Sequence, residues 1–401
     1  MVTNQSIRRT KEDVISSSPV KLVDEVITRA FLDRASDIHF EPMAVDCQIR
    51  MRVDGVLINH GRYNKLIHEE VVARLKILSG LRTDIRLSPQ DGRFRVQVSS
   101  TSLHVRVSVI PSIHGEKCVL RLLPSSLQNH SLEGLGFNSL EIDKISKLAE
   151  ISHGMVLVVG PTGSGKTTTL YELLQRKSAL DISVVTLEDP VEYSIPRVTQ
   201  IPINTTMSFA NALRAVVRQD PDVIMVGEIR DHITAELAIH AALTGHLLFS
   251  TLHTNDAVTA LPRLIDMGIE PFLIASTVRM VISQRLVRKI CVMCKSEVKM
   301  TQGEFEYLVR VGDIPETQKL RIFKGAGCSD CKNTGYCGRT VISEVLVVDE
   351  KIRSFIMQKN PASDLQKVAL QQGMRPLIKD AVSKVLTGIT TCEEVAAVCN
   401  I

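Results

Sequence analysis

The chain has 401 residues, 44% of them hydrophobic and 23% charged, and a formal net charge of +4. That length suggests two or three domains, and the composition excludes an intrinsically disordered chain. Aromatics are 4% and tryptophan is absent, so neither a strong field for a phosphate backbone nor stacking platforms for bases are evident, and nucleic acid is not expected as a partner.

No apolar run approaches the ~20 residues of a membrane helix. Residues 1–11 lack the apolar core of a signal peptide, so a cytosolic protein is expected. Residues 1–19 read as a polar leader ending in Ser16-Ser17-Ser18-Pro19. Leu22, Val23, Val26, Ile27, Ala30 and Phe31 then recur at helical spacing and predict a helix over 20–34. Strands follow over 35–42 and 47–57, the second turning at Asp54-Gly55, then a helix over 69–78 and strands over 93–98, 103–110 and 117–123. Residues 20–123 therefore read as an α+β domain. Arg50, Arg52, Arg93, Arg95, Arg106 and Arg121 sit on its strand faces. A solvated sheet face is the plain reading of these charges, and arginines that complete a phosphate site elsewhere are the alternative.

Residues 124–150, with Gly134, Gly136 and an amphipathic helix over 140–149, read as linker and hinge. Over 151–285, short apolar runs at 155–159, 183–187, 223–226 and 247–250 alternate with helical segments, the pattern of an α/β core with a buried parallel sheet. The first run leads into Gly160-Pro161-Thr162-Gly163-Ser164-Gly165-Lys166-Thr167, and Thr168 continues into a helix. Glycines at this spacing let backbone N–H groups turn inward onto phosphate, Lys166 supplies a charge for the β- and γ-phosphates, and the Thr167 hydroxyl suits Mg²⁺. A plain glycine-rich turn would need neither the lysine nor the hydroxyl.

Three polar clusters sit where the later strands end, which is where open α/β sheets hold ligands. The first supplies Glu188, Asp189 and Glu192, able to hold a hydrated Mg²⁺ or to take a proton from water. The second delivers Glu228 just after Gly227, with Arg230 beyond it, in the manner of a Walker B strand ended by glutamate. Upstream, Arg214 and Arg218 share a helix face. In the third cluster His246 and His253 bracket the last strand, and either histidine taken singly reads as structural.

Cys291, Cys294, Cys328 and Cys331 form two C-x-x-C pairs separated by 33 residues, out of nine cysteines in all. Two such pairs match a structural Zn²⁺ site of four thiolates, with a redox pair as the rival reading. Cys337 lies close enough to compete as a ligand but falls outside both pairs. The neighbouring Arg285, Arg288, Lys289 and Lys295 read as a solvated rim. A metal-binding subdomain over 286–340 and a helical region over 341–401 complete the expected division.

In this order the four polar clusters resemble those of the secretion ATPase superfamily, in particular the assembly ATPases of type II secretion and type IV pili. That family carries a Walker A loop, an aspartate box, a glutamate-ended Walker B element and a histidine box. The resemblance covers nearly the whole chain from about residue 20, including residues 35–42, 89–93, 106–108, 115–123 and Gly388-Ile389-Thr390. It implies an α/β fold with a RecA-like P-loop ATPase core, preceded by an α+β, PAS-like N-terminal domain and followed by a four-cysteine zinc subdomain and a helical end. The implied ligands are ATP and Mg²⁺, held by the loop residues 160–168 with Glu188, Asp189, Arg214, Arg218, Arg230 and Arg339. Glu192 would activate water, Glu228 would organise the metal, and His246 and His253 would sense the γ-phosphate. Arg106 and Arg121 would reach across a subunit boundary.

The resemblance further implies a homo-hexamer working with inner-membrane secretion or pilus platform proteins, peripheral at the cytoplasmic face of that membrane. Larger members carry an additional N-terminal docking module, whereas this chain begins almost directly at the second domain. A pilus assembly ATPase proper and a conjugation or nucleic-acid-translocating ATPase are alternatives within reach of the motifs; the latter would show DNA-stimulated turnover with a steep salt dependence. A zinc-dependent scaffold that only binds ATP is a further one, and the placement of Glu192 and Glu228 argues against it.

Overall fold

A computed structural model describes residues 18–99, 101–124, 131–315 and 317–399, and the expected leader falls almost wholly outside them. The chain divides into two compact units, Met1–Leu127 and Gln128–Ile401.

In the first unit, helix α1 (Pro19–Leu32) starts where the Ser18 side chain accepts from the Lys21 amide and Pro19 takes the first helical position. Strands β1 (Ala35–Pro42), β2 (Asp46–Val53) and β3 (Val56–Asn64), helix α2 (His68–Leu78), and strands β4 (Gln90–Val98), β5 (Thr101–Ser112) and β6 (Gly115–Pro124) follow. The strands make one antiparallel sheet in the order β3-β2-β1-β6-β5-β4. Leu22, Val26 and Ile27 of α1, Leu75 of α2, and Phe40, Ile49, Val105 and Val107 of the sheet share one core. Because successive strand residues face opposite ways, the arginines take the other face. Arg93 stands opposite Arg106, and Arg106 opposite Arg121.

The second unit runs α3 (Leu132–Leu135), α4 (Ser139–Ser146), β7 (Gly154–Val159), α5 (Lys166–Lys177), β8 (Val184–Glu188), β9 (Val198–Pro202), α6 (Phe209–Val216), β10 (Val223–Val226), α7 (His232–Leu243) and β11 (Leu247–Leu252). It continues with α8 (Ala260–Asp266), α9 (Pro271–Thr277), β12 (Val278–Ile290), β13 (Lys295–Val298), α10 (Gln302–Gly312), β14 (Ile322–Gly325) and β15 (Tyr336–Val347). Four helices close it: α11 (Glu350–Met357), α12 (Ala362–Gln371), α13 (Leu377–Leu386) and α14 (Cys392–Cys399). The main sheet has the order β15-β12-β7-β11-β10-β8-β9. Every pairing in it is parallel except β12 with β15. Each residue of β7, β8, β10 and β11 is buried, as a parallel sheet covered by helices on both faces requires. Strand β12 crosses residue 285, where the sequence suggested the core would stop, so the core sheet extends to the cysteine loops. No helix among the described residues is long and apolar enough to cross a membrane.

A buried polar network joins α4 to the edge of this sheet. Glu141 is 3% exposed and accepts from the Ser343 hydroxyl at 2.7 Å. Asp380 pairs with Lys384 at 2.6 Å and accepts from Asn138 at 3.1 Å. Burial first, and the Asp380 charge second, push the Glu141 carboxyl up to about 7 from an ordinary 4.5. A raised carboxyl pKa means that the folded state holds a proton the unfolded state has released. Stability from this site is therefore full below pH 4.5 and falls as pH rises towards 7, by up to roughly 3 kcal/mol. Glu141→Gln keeps an acceptor for Ser343 and cannot ionise. Melting curves between pH 4.5 and 8 are expected to lose this slope in the variant; an unchanged slope would contradict the assignment.

Candidate functional site

The phosphate loop leaves β7 at Val159 and enters α5 at Lys166. Gly160 is required at its start: its φ is +142°, and a Cβ there would lie 2.4 Å from the Gln284 carbonyl oxygen. Gln284, itself buried on β12, donates from Nε2 to the Ser164 carbonyl at 2.7 Å. β12 thus braces the loop from behind. Lys166 Nζ donates to the Gly160 and Pro161 carbonyls at 2.8 and 3.1 Å, resting on the loop that would hold its phosphate. Burial lowers the pKa of this ammonium and the Glu228 charge opposes the shift. On the outer side of the loop, residues 161–164 form a second hollow with Asn255, Arg285 and Leu286.

Strand register brings the other clusters to the same edge of the sheet. Val159 pairs with Leu252, Ser250 with Val226, and Val226 with Leu187. The residues that follow these strand ends line one cavity with Lys166 and Thr167, namely Glu188, Asp189, Glu192, Gly227, Glu228 and His253. Glu228 is held from two sides, by Arg230 Nη2 at 2.5 Å and His253 Nε2 at 3.6 Å. Thr251 Oγ1 donates to the Gly227 carbonyl at 2.8 Å, which fixes the turn that delivers Glu228. Carboxylates facing a lysine, an amide-lined loop and a hydroxyl suit a triphosphate with its magnesium ion.

Other expected residues lie elsewhere. His246 precedes β11, next to the residue that pairs with Gly154, so a six-residue strand separates it from the loop, about 20 Å at the usual strand rise. Its Nδ1 is bonded to the Ala241 carbonyl at 2.9 Å. Of the two histidines expected to sense the γ-phosphate, His253 lines the cavity and His246 does not. Glu188 lines the cavity, yet it is 3% exposed and both its oxygens accept from protein donors, which makes it a support and not a free ligand. Arg214 and Arg218 are exposed on and just beyond α6, where Arg218 donates to the Arg214 carbonyl, and Arg339 stands on β15 opposite Arg288. None of the three lines the cavity. Arg106 and Arg121 belong to the first unit, where Arg121 Nε donates to Asp37 at 3.1 Å. Gln284 and Tyr171 were not singled out by sequence. A Ser-Gln pair following the apolar run Met280-Val281-Ile282 and a tyrosine on the helix after the loop were the available signals.

The four expected cysteines do meet. Their sulfurs all lie within 4.8 Å of one another, with Cys291–Cys328 at 3.8 Å, Cys294–Cys331 at 3.7 Å and Cys328–Cys331 at 3.6 Å. Sulfurs about 2.3 Å from a tetrahedral ion stand about 3.8 Å apart. The Cys328 and Gly335 amides point at Cys331 Sγ, 3.2 and 3.3 Å away, as donors to a thiolate would. Gly325 and Gly335 let the two ends of the Cys328–Cys331 loop close on each other, since a Cβ on Gly325 would lie 2.1 Å from the Gly335 carbonyl oxygen. The donor set and spacing fit one metal ion, and Cys337 is not among the clustered four.

A phosphate loop at the C-terminal edge of a parallel sheet, faced by carboxylates from the neighbouring strand ends, makes this a P-loop nucleotide-binding core of the α/β class. The sequence matches the family described as "Type II/IV secretion system protein" over residues 13–397, and the chain belongs to that family. It is 45% identical over 384 residues to the type IV pilus assembly ATPase PilB of Thermus thermophilus, an alignment covering 95% of this chain and 43% of that one. It is 43% identical over 389 residues to the type II secretion system protein HxcR of Pseudomonas aeruginosa, covering 96% of this chain and 78% of the relative. The chain thus spans less than half the length of the first relative and about three quarters of the second. Among solved structures it is similar to the pilus retraction motor PilT crystallised with bound ADP, with a TM-score of 0.62, 26% identity, and coverage of 93% of this chain and 96% of that one.

Proposed function

We propose that this chain hydrolyses ATP to drive pseudopilus or pilus assembly for type II protein secretion at the bacterial inner membrane, working as a ring of six. The observation that carries the reading is the single cavity that gathers Lys166, Thr167, Glu192, Glu228 and His253. The names borne by the relatives, a pilus assembly ATPase and a type II secretion protein, support the process, and the ADP bound to PilT supports the ligand. Lys166 and the loop amides hold the β- and γ-phosphates, and Thr167 with Glu228 holds the magnesium ion, which supplies positive charge to the transferring phosphoryl group. Glu192 takes the proton from the attacking water. His253, in contact with Glu228, reports whether the γ-phosphate is present. The clustered cysteines hold structural zinc, and the first unit serves as a PAS-like domain whose arginines complete a neighbour's site.

Arg106→Ala and Glu192→Gln proteins are each expected to be inactive alone, whereas a mixture that exchanges subunits recovers turnover. Some interfaces of a mixed ring then pair an intact arginine with an intact glutamate. A mixture as inactive as its components, with subunit exchange demonstrated, would contradict the shared site.

A further inference from the structure

We propose that Tyr171 and Glu188 act as a buried positioning pair, in which the Tyr171 hydroxyl holds the backbone of Glu192 at a fixed place relative to the phosphate loop. The inference rests on the reading of Glu192 as the group that activates water.

Tyr171 lies on α5, little more than one turn beyond Lys166, and is fully buried. Its hydroxyl accepts from the Glu192 amide at 3.3 Å and donates to Glu188 Oε2. The other carboxylate oxygen, Oε1, accepts from Thr186 Oγ1 at 2.5 Å and from Gln200 Nε2 at 3.1 Å. The ring of Tyr193, next in the chain to Glu192, packs edge-on against Tyr171 with centroids 4.6 Å apart. One rigid helix therefore fixes both the phosphate end of the site and the segment that carries the proposed base.

The polarity of this relay is determined by its ends. An ionised carboxylate only accepts and a backbone amide only donates, so the hydroxyl between them must donate inward and accept outward. Burial first, and then the Glu188 charge, raise the pKa of the phenol, which keeps the proton it donates. Gln200 cannot reverse to accommodate a change at Glu188, because its Oε1 accepts from the Ile195 amide at 2.8 Å while its Nε2 donates to the Tyr193 carbonyl at 3.0 Å. An amide in place of Glu188 must turn its oxygen to Thr186 and Gln200 and its N–H₂ to Tyr171. The hydroxyl would then face two donors and lose the acceptor for its own proton, which breaks the relay that holds Glu192 with the packing volume unchanged.

The test compares wild type, Tyr171→Phe, Glu188→Gln and Glu192→Gln in the full chain, reading kcat and KM for ATP and the Kd of a fluorescent ATP analogue. A displacement near 1 Å at a reacting group can cost up to about 100-fold in rate, so Tyr171→Phe and Glu188→Gln are expected to lose about tenfold or more in kcat while analogue binding is retained. If Tyr171→Phe does not fold, Glu188→Gln carries the same reading with no loss of volume. Wild-type kcat in the folded variants, beside an inactive Glu192→Gln, would overturn the positioning role alone. Loss of analogue binding in step with kcat would also overturn it, since the pair would then only support the loop. Wild-type turnover by Glu192→Gln would remove the reading on which the inference stands.

Discussion

Lys166→Ala is expected to reduce ATP turnover by about 10³-fold, measured as Mg²⁺-dependent phosphate release, because charge that develops on a transferring phosphoryl group is stabilised by preplaced cations. Among the described residues lining the cavity, Lys166 is the only lysine or arginine. Arg230, two residues beyond the lining Glu228, is drawn to that carboxylate instead. The fold should tolerate the change. What the ammonium holds now are two carbonyls of the loop, and losing such hydrogen bonds costs about 1 kcal/mol each. A folded Lys166→Ala protein with near-normal turnover would remove the phosphate site from this loop.

Cys328→Ser should have the largest effect on stability. About one zinc ion per chain is expected by elemental analysis, and its removal forfeits part of the ~10–16 kcal/mol with which four-ligand structural sites bind the metal in isolated zinc-finger peptides. The loss should be local first. Strands β13 and β14, which pair only with each other, depend on the cysteine loops at their ends, whereas β7, β10 and β11 are buried inside the main sheet. Hydrogen exchange should therefore accelerate over residues 291–335 before it does in the parallel strands, and chelation should lower the melting temperature before it lowers turnover. Freshly purified protein without zinc, together with unchanged melting after chelation, would contradict the metal assignment.

Much of this site is legible in the sequence because its parts are local. The loop motif fixes its own backbone through glycine, and the apolar runs before Gly160, Glu188 and Glu228 mark strands whose ends must share one edge once the sheet is parallel. The arginine stripe is likewise foreseen, since strict alternation in β5 separates Val105 and Val107 from Arg106. What escapes is long-range. Strand β12 carries Arg285 and Arg288 and reads as the basic rim of a cysteine pair, yet it pairs with β7 and places Gln284 behind the loop. His246 and His253 look equivalent along the chain because each flanks β11, and only the parallel pairing of that strand with β7 reveals that His253 stands at the end beside the loop. Glu188 and Glu192 are likewise indistinguishable as carboxylates until burial sets the first against Tyr171 and Thr186.

The central claim, that ATP is cleaved at this cavity with Glu192 taking the proton from water, is tested most directly by single-turnover chemistry. Enzyme in excess over γ-labelled ATP is quenched at intervals for wild type and Glu192→Gln, with Mg²⁺ present. The account predicts that wild type converts its bound ATP to ADP and phosphate, whereas Glu192→Gln retains the nucleotide as uncleaved ATP, because the amide keeps the shape of the side chain but not its basicity. Cleavage by Glu192→Gln at the wild-type rate, or no Mg²⁺-dependent cleavage by wild type, would contradict it.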